Sequence, residues 1–295
     1  MRLARILALA ALGLAVGVPV GRGAAADDLV ARGAYLTRIA GCFSCHTDVA
    51  HGGQPLAGGR ALATPFGTFY SPNITSDRET GIGAWTDAQF RRALRQGVRP
   101  DGANYFPVFP YPSFTNITDD DLAAMLAYLK SRPPVRQANK AHEVGFPFSW
   151  RWLQTGWKLL FFRPGPFSPP HGANAAETRG AYLITALAHC GECHTPRNAL
   201  GAMRPSLFLA GTPDGPDGAL VPNITQDKKT GIGEWTKDDV VELLATGTTP
   251  EQSTVKGAMR EAIQDGLKLM TDADRAAVAD YLLALPPIDH AVHKR

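Results

Sequence analysis

Two short runs of the sequence combine cysteine and histidine at a spacing that can hold a metal cofactor. They supply Cys42, Cys45 and His46 in the first half of the chain and Cys190, Cys193 and His194 in the second. Each run reads C-x-x-C-H, the attachment sequence for haem c. Two thiols at this spacing can reach the two vinyl groups on one edge of a porphyrin, and the adjacent imidazole can bind the iron. The sequence therefore predicts two covalently bound haem c groups, with His46 and His194 as iron ligands.

A lone C-x-x-C pair has other uses, as a redox dithiol, half of a zinc site or a disulfide. A zinc site would need further cysteine or histidine ligands at matching spacing, and the sequence shows no tight cluster of that kind. The chain contains four cysteines in all, and the two copies of this motif use every one. Haem attachment is therefore the favoured interpretation of both motifs.

The first 26 residues have the pattern of a secretory leader. Arg2 and Arg5 precede an apolar run from Ile6 to Val18, and a stretch of small residues ends at Ala26. We expect cleavage after Ala26 and a periplasmic protein, and the alternative is an uncleaved membrane anchor. No later segment is long or apolar enough to span a bilayer.

The chain that follows the leader is balanced in charge, although the whole sequence has a formal net charge of +3. The leader holds three of the 30 basic residues and none of the 27 acidic ones, so its removal leaves 27 of each. With 44% hydrophobic and 19% charged residues, the composition is that of a globular protein. The charge balance gives no indication of a nucleic-acid partner.

The two halves of the chain repeat one another well beyond the haem motifs. The matched segments are 32–36 with 179–183, 72–75 with 222–225, 80–83 with 230–233, and Trp85 with Trp235. The offset grows from 147 (32 to 179) to 150 (85 to 235). A repeat of this length predicts two domains of one fold. We place them over 27–134 and 177–290, joined by a linker over 135–176.

Each half is predicted to be helical, so the predicted fold class is all-α. Helices are expected over 28–40, over 88–96 and from Thr118 in the first half, and over 176–188, over 240–245 and from Thr271 in the second. Thr118 and Thr271 are typical N-cap residues followed by acids in the first turn. Gly33 and Gly180 hold the same place in the two first helices, where a small residue could let the first and last helices cross closely.

The linker is rich in tryptophan and phenylalanine. It is too apolar to be a flexible tether, so we expect it to be ordered. Two interpretations remain open. The linker packs between the two domains, or it forms a docking patch for a redox partner or a membrane surface.

Several motifs together resemble a known family. They are Pro72–Thr75, Thr80–Gly83, Trp85, Tyr111–Phe114 and Cys193–Asn198. In these segments the chain resembles the cytochrome c subunits of bacterial membrane-bound alcohol dehydrogenases and the cytochrome partners of molybdenum hydroxylases. The resemblance implies two tandem cytochrome c domains and a role in electron transfer.

The leading functional hypothesis is a relay that takes electrons from a periplasmic dehydrogenase and passes them to a downstream cytochrome or oxidase. One alternative is a haem enzyme with an open coordination site at the first haem, acting on peroxide or a sulfur compound. A third hypothesis is a sensory or docking module. No acid–base pair of carboxylates stands out, so an electron carrier is favoured over an enzyme.

A methionine sulfur is a common second axial ligand of an electron-carrier haem, and it raises the reduction potential. Met259 lies between the expected middle and last helices of the second half, and we predict that it binds the second haem iron. The other candidates are less suitable, because Met203 closely follows His194 and Met270 adjoins the N-cap Thr271.

The first haem is predicted to lack a methionine ligand. The offset of 150 places Phe109 opposite Met259 (109 to 259), and an offset of 153 would place Phe106 there instead (106 to 259). Neither phenylalanine can bind iron, and Met125 falls on the buried face of the last helix. We therefore expect this haem to be five-coordinate or weakly bound by another group. The candidates for that group are Tyr105, Tyr111, His51 and His142.

Trp85 and Trp235 occupy matching places in the repeat. A buried indole N–H usually finds an acceptor, and a haem propionate would be a suitable one. The alternative for both residues is simple packing in the core.

Overall fold

The computed structural model describes residues 22–293 and shows two helical halves in tandem. The helices of the first half and the linker are α1 (Arg22–Ile39), α2 (Cys42–Cys45), α3 (Asp87–Gln96), α4 (Tyr111–Phe114), α5 (Asp119–Ser131) and α6 (Leu153–Phe161). Those of the second half are α7 (Ala175–Tyr182), α8 (Gly191–His194), α9 (Lys237–Thr246), α10 (Gly257–Asp265) and α11 (Asp272–Ala284). The leader predicted over 1–26 falls mainly on residues 1–21, outside the described residues. No helix within 22–293 is long and apolar enough to cross a membrane.

In each half, the first helix crosses the last one at a glycine. A Cβ placed on Gly33 of α1 would lie 1.9 Å from the carbonyl oxygen of Ala124 on α5. A Cβ on Gly180 of α7 would lie 1.9 Å from the carbonyl oxygen of Ala277 on α11. Since real Cβ atoms cannot approach an oxygen so closely, glycine is required at both crossings. The predicted close crossing is confirmed.

Threonine N-caps begin the matching helices α3, α5, α9 and α11. The caps are Thr86, Thr118, Thr236 and Thr271. Each hydroxyl accepts a hydrogen bond from the backbone N–H three residues further on. These bonds satisfy N–H groups that have no partner inside the helix. The cap is local in sequence, and so the helix starts could be predicted from the sequence.

A small antiparallel sheet makes the all-α prediction wrong in part. Its strands are β1 (Ala61–Thr64), β2 (Gly67–Tyr70) and β3 (Glu143–Val144), in the order β1-β2-β3. Gly67 pairs with Val144 and adopts a φ of 128°. A Cβ on Gly67 would lie 2.3 Å from the carbonyl oxygen of Glu143. Because glycine has no Cβ, β3 can pair with β2 at this position. That strand comes from the linker, and such distant pairing leaves no local sequence pattern.

The linker is tied to both halves by hydrogen bonds. The Asn73 side chain donates to the carbonyl oxygen of Val135 across 2.7 Å. The Trp157 indole N–H donates to the carbonyl oxygen of Leu200, in the second half, across 2.9 Å. The first contact joins the start of the linker to the first half, and the second joins its α6 helix to the second half.

Much of the apolar surface of the linker nevertheless faces outward. Phe146 and Leu159 are each 74% exposed, and Trp152 and Leu160 are each 65% exposed. Phe162, by contrast, is buried. Packing between the domains therefore accounts for only part of the apolar side chains in this segment.

The buried residues of the two halves form one continuous hydrophobic cluster. It contains Leu122 and Met125 from α5 together with Leu183 and Leu187 from the second half. Leu183–Leu187 form a π-helical turn that continues α7 toward the second haem motif. The two haem motifs are thus carried by helices that share a core, which holds them in a fixed relation.

Candidate haem sites

The first haem-attachment motif forms a short helix immediately after α1. Gly41, in the left-handed conformation (φ 66°), turns the chain into α2, which carries Cys42 and Cys45. His46 follows, and its Nδ1 lies 2.7 Å from the carbonyl oxygen of Pro72. A carbonyl oxygen only accepts, so Nδ1 carries the proton and Nε2 keeps a free lone pair for a metal. The arrangement suits His46 as an axial haem ligand.

The second motif repeats this arrangement at α8. The Nδ1 atom of His194 lies 2.9 Å from the carbonyl oxygen of Pro222, and the histidine is buried. Burial lowers the pKa of both His46 and His194. Each imidazole is therefore held neutral, with one nitrogen fixed by a carbonyl and the other free. This is the state in which histidine binds a metal.

The repeated Pro-Asn-Ile-Thr turns hold the two proline carbonyls in place. Asn73 is buried, and its Oδ1 accepts hydrogen bonds from the N–H and the hydroxyl of Thr75, at 2.9 and 2.7 Å. Asn223 and Thr225 make the same two bonds at 2.8 Å. The role of the proline carbonyls is not apparent from the sequence, although the repetition of these turns marks their position.

No disulfide bond joins any of the four cysteines, which all lie within the described residues. Before a haem is attached, burial raises the pKa of the Cys42 and Cys190 thiols to about 12. Over residues 22–293, no three histidine, cysteine, aspartate or glutamate side chains lie together as a group that could hold a metal ion.

A cavity of about 650 Å³ opens beside the first motif, and both Cys45 and His46 line it. Its apolar walls include Phe69, Ile82, Leu94, Val108 and Phe109. Its cationic side chains include Arg99, Lys140 and Arg151. A porphyrin has an apolar ring and two anionic propionates, and so the lining of this cavity fits a haem attached at the first motif.

Trp85 also lines this cavity, and both Trp85 and Trp235 pack partly buried against the core. Within the described residues, neither indole N–H has a protein acceptor. The indole of Trp85 is therefore available to a group bound in the cavity. Its propionate role, and that of Trp235, remain predictions.

We call the segments between the middle and last helices, 97–118 and 247–271, the distal segments. Their backbone hydrogen bonds show which residues of the two halves correspond. The N–H of Tyr105 donates to the carbonyl oxygen of Gly97 across 2.8 Å. In the second half, the N–H of Val255 makes the same bond to Gly247 across 3.0 Å. Both glycines end a helix in the left-handed conformation, with φ of 60° and 85°. The offset of 150 (105 to 255) therefore holds as far as Tyr105 and Val255.

Carried four residues further, the same offset of 150 places Phe109 opposite Met259 (109 to 259). Phe109 lines the cavity of the first motif, and Met259 lies in the first turn of α10, partly buried against the core. Met125 and Met270 are only 1% and 3% exposed, in helix packing. No methionine among residues 22–293 lines the first cavity. The assignment of Met259 to the second haem remains a prediction.

The other candidates for the first haem occupy different places. His51 is on the surface, with its side chain 81% exposed and bonded to Asp48. Tyr111 is fully buried against Phe162, outside the cavity lining. Tyr105 and His142 both line the cavity. The structure thus brings two of the four candidates together beside the first motif and separates the other two from it.

His142 is poorly suited to bind an iron. Its Nδ1 accepts the backbone N–H of Tyr70 across 3.2 Å. A neutral imidazole whose Nδ1 accepts carries its proton on Nε2, and that nitrogen then has no lone pair for a metal. His46 and His194 have the opposite arrangement. His142 therefore faces the cavity as a hydrogen-bond donor.

The comparisons with known proteins agree with this geometry. The cytochrome c family model matches residues 30–133 and again 178–286. The alcohol dehydrogenase (quinone) cytochrome c subunit of Gluconacetobacter polyoxogenes is 38% identical over 97% of this chain, which spans 62% of that protein's length. The fructose dehydrogenase cytochrome subunit of Gluconobacter japonicus is 42% identical over 87% of the chain and 52% of its own length.

A third relative is similar to this chain over most of both lengths. It is a dihaem cytochrome c-type protein of Cereibacter sphaeroides, 40% identical over 88% of this chain and 86% of its own length. Two family matches, each containing one C-x-x-C-H motif with its histidine bonded to a proline carbonyl, place one haem in each half. This chain therefore belongs to the cytochrome c family and carries two covalently bound haem c groups.

Proposed function

We propose that this protein relays single electrons from a periplasmic dehydrogenase to a downstream cytochrome or oxidase, using its two haems in series. Each haem supplies a one-electron iron centre, and the residues of the chain hold the two centres in a fixed relation. The names of the relatives, which are cytochrome subunits of dehydrogenases, support a dehydrogenase as the donor. The leader pattern over 1–26 supports export to the periplasm.

The observation that carries this proposal is a contact between the two haem-attachment turns. His189 directly precedes Cys190, and its Nε2 donates to the carbonyl oxygen of Ala40 across 3.3 Å. Ala40 lies two residues before Cys42. The His189 ring also packs edge-on against Phe114, with 5.3 Å between centroids. Because the two turns meet at the interface, electrons have a short path between the two cofactors.

A second contact joins the first turn to the helix that carries Met259. The Ser44 hydroxyl, inside the first motif, donates to Asp265 on α10 across 3.2 Å. Arg60 donates to the carbonyl oxygen of Ser44 across 2.6 Å and forms an ion pair with Glu261, also on α10. The first attachment turn and the distal helix of the second site are therefore bonded directly to one another.

The direction of electron flow follows from the distal residues. Met259 would raise the potential of the second haem through its sulfur, while Phe109 supplies no ligand to the first. Electrons would then enter at the lower-potential first haem and leave from the second. Trp85 and Trp235 would steady the two haems by donating to a propionate of each.

A variant of His189 tests the relay. Glycine is compatible with its backbone, because Gly41 holds the matching place with φ of 66° and His189 itself has φ of 39°. In His189→Gly, flash reduction of the holoprotein should show slower electron transfer from the first haem to the second, with both reduction potentials unchanged. His171→Gly, on the exposed linker, is the matched control. An unchanged transfer rate in His189→Gly would contradict the proposed path.

The partner proposal is tested in the source organism. Deletion of the gene should interrupt electron flow from one periplasmic dehydrogenase to oxygen, and a chromosomal copy should restore it. Dehydrogenase activity measured with an artificial dye acceptor should remain, because the dye bypasses the relay. If oxygen uptake with every dehydrogenase substrate is unaffected, the relay proposal is wrong.

A further inference from the structure

The first haem pocket differs from the second at two linked positions. Phe109 stands where the second half has Met259, and Tyr105 stands where it has Val255. The two aromatic rings of the first half are in contact, with 5.1 Å between their centroids. Both line the cavity that contains His46. The side chain that could bind iron is thus replaced by one that cannot, and a phenol is added beside it.

The Tyr105 hydroxyl has no hydrogen-bond partner among the residues that the structure describes. Burial is the main cause that raises the pKa of Tyr105 to about 12, so the side chain is a neutral phenol. A neutral phenol beside an open cavity has a proton to donate. The Tyr105 hydroxyl is therefore available as a donor to a ligand that enters the cavity.

The charges around this phenol favour an anion. Arg99 and Arg151 line the same cavity as Tyr105, and Asp101 is the acidic group among its charged neighbours. His142 adds an Nε2–H donor to the lining. Arg99 is paired with Asp101 across 3.0 Å, and Glu79 also lines the cavity. With Lys140 and Arg151 the lining still has three cationic side chains against two carboxylates, and this surplus makes the cavity attractive to small negatively charged ligands.

We propose that the first haem pocket takes a small anionic, hydrogen-bond-accepting ligand at the position that Met259 fills in the second half, and that Tyr105 donates a hydrogen bond to this ligand. The inference rests on the proposed roles of His46 and Met259. It takes Tyr105 as a hydrogen-bond donor rather than as an iron ligand, and it gives the hydroxyl a role in addition to the packing of the ring against the core. It also separates the two haems by function, one open to small molecules and one closed by a sulfur.

Fluoride is a suitable probe, since it is a small anion that binds ferric haem only at an open position and accepts hydrogen bonds. Titration of the ferric holoprotein with fluoride should give one of the two haems the absorption and EPR signature of a six-coordinate high-spin fluoride complex, while the other haem stays low-spin. In Tyr105→Phe, the fluoride Kd should rise about 3- to 10-fold, the loss of one hydrogen bond. Tyr111→Phe, which removes a phenol outside the cavity lining, should leave the Kd unchanged.

A second variant restores the missing sulfur. Phe109→Met should close the first haem to fluoride and add a second near-infrared sulfur-to-iron band. The proposal is overturned if fluoride binds neither haem of the natural protein, if Tyr105→Phe binds it as tightly as the natural protein, or if Phe109→Met still binds it. None of these results depends on electron transfer between the haems, so they test the ligand proposal independently of the relay proposal.

Discussion

Tyr35 of the first half donates a hydrogen bond to Asp274 of the second half across 2.6 Å. Tyr182 of the second half makes the same bond to Asp121 of the first, also at 2.6 Å. Each tyrosine hydroxyl in turn accepts the backbone N–H of the threonine that caps the partner's last helix. The two halves therefore exchange one equivalent contact in each direction, and the sequence repeat becomes a nearly symmetric interface.

The tyrosine exchange should stabilise the docking of the two halves. In Tyr35→Phe and in Tyr182→Phe, the free energy of unfolding should fall by about 1.5–3 kcal/mol, because a partly buried carboxylate loses a donor. Urea unfolding followed by circular dichroism measures this change. Tyr281→Phe is a suitable control, since the Tyr281 hydroxyl has no partner among the described residues. Equal stability of all three variants would show that the exchange contributes nothing.

Stability should depend on pH through Asp274. Burial acts to raise the pKa of this carboxyl, but hydrogen bonds from Arg179 and Tyr35 outweigh it, and the net shift is downward. A group whose pKa is lower when folded stabilises the protein above its unfolded value of about 3.9, and this contribution is lost as the pH falls through the folded value. Asp274→Asn should therefore flatten the loss of stability below about pH 4. If the free energy of unfolding falls equally in Asp274→Asn and in the natural protein as the pH is lowered, this prediction is wrong.

The glycine crossings should be among the least tolerant positions in the chain. Gly33→Ala and Gly180→Ala each place a Cβ within 1.9 Å of a carbonyl oxygen, so the helices must separate. We expect a loss of about 3 kcal/mol or more from each. Gly156→Ala on α6, where a Cβ meets nothing within 4 Å, should be neutral or stabilising by up to about 1 kcal/mol. Thermal unfolding of the three variants gives the comparison.

The mass of the exported protein tests the attachment motifs and the leader together. We expect a chain beginning at Asp27 with two haem c groups added. Replacing both Cys190 and Cys193 by alanine should reduce this to one haem, and the same change at Cys42 and Cys45 should do likewise. A mass that corresponds to bound zinc, or to no haem, would refute the assignment.

Met259→Ala should remove the weak near-infrared sulfur-to-iron band and lower the potential of the second haem. The first haem should be unaffected, because Phe109 supplies no sulfur to lose. Met203→Leu is the control, since Met203 lies outside the distal segment, in a backbone bridge with Arg197. If the band survives in Met259→Ala, another residue binds the second iron.

The sequence by itself was sufficient for features that depend on neighbouring residues. The haem motifs are five consecutive residues whose chemistry is local, and so Cys42 and His46 could be assigned without a structure. Threonine caps such as Thr118 act three residues ahead, which made the helix starts predictable. The internal repeat exposed the replacement of Met259 by Phe109, and the backbone bonds of Tyr105 and Val255 support that alignment.

Only the tertiary structure decided what depends on distant residues. The strand Glu143–Val144 joins the sheet of the first half because Gly67 has no side chain in its way. No local sequence pattern predicts this pairing. The same holds for the bond from Tyr35 to Asp274. One backbone N–H, that of Tyr70, makes His142 poorly suited to bind iron, because it places the imidazole proton on Nε2. Which side chains face a cavity depends on how separate elements pack, because packing, unlike haem attachment, is set by contacts between residues far apart in the chain.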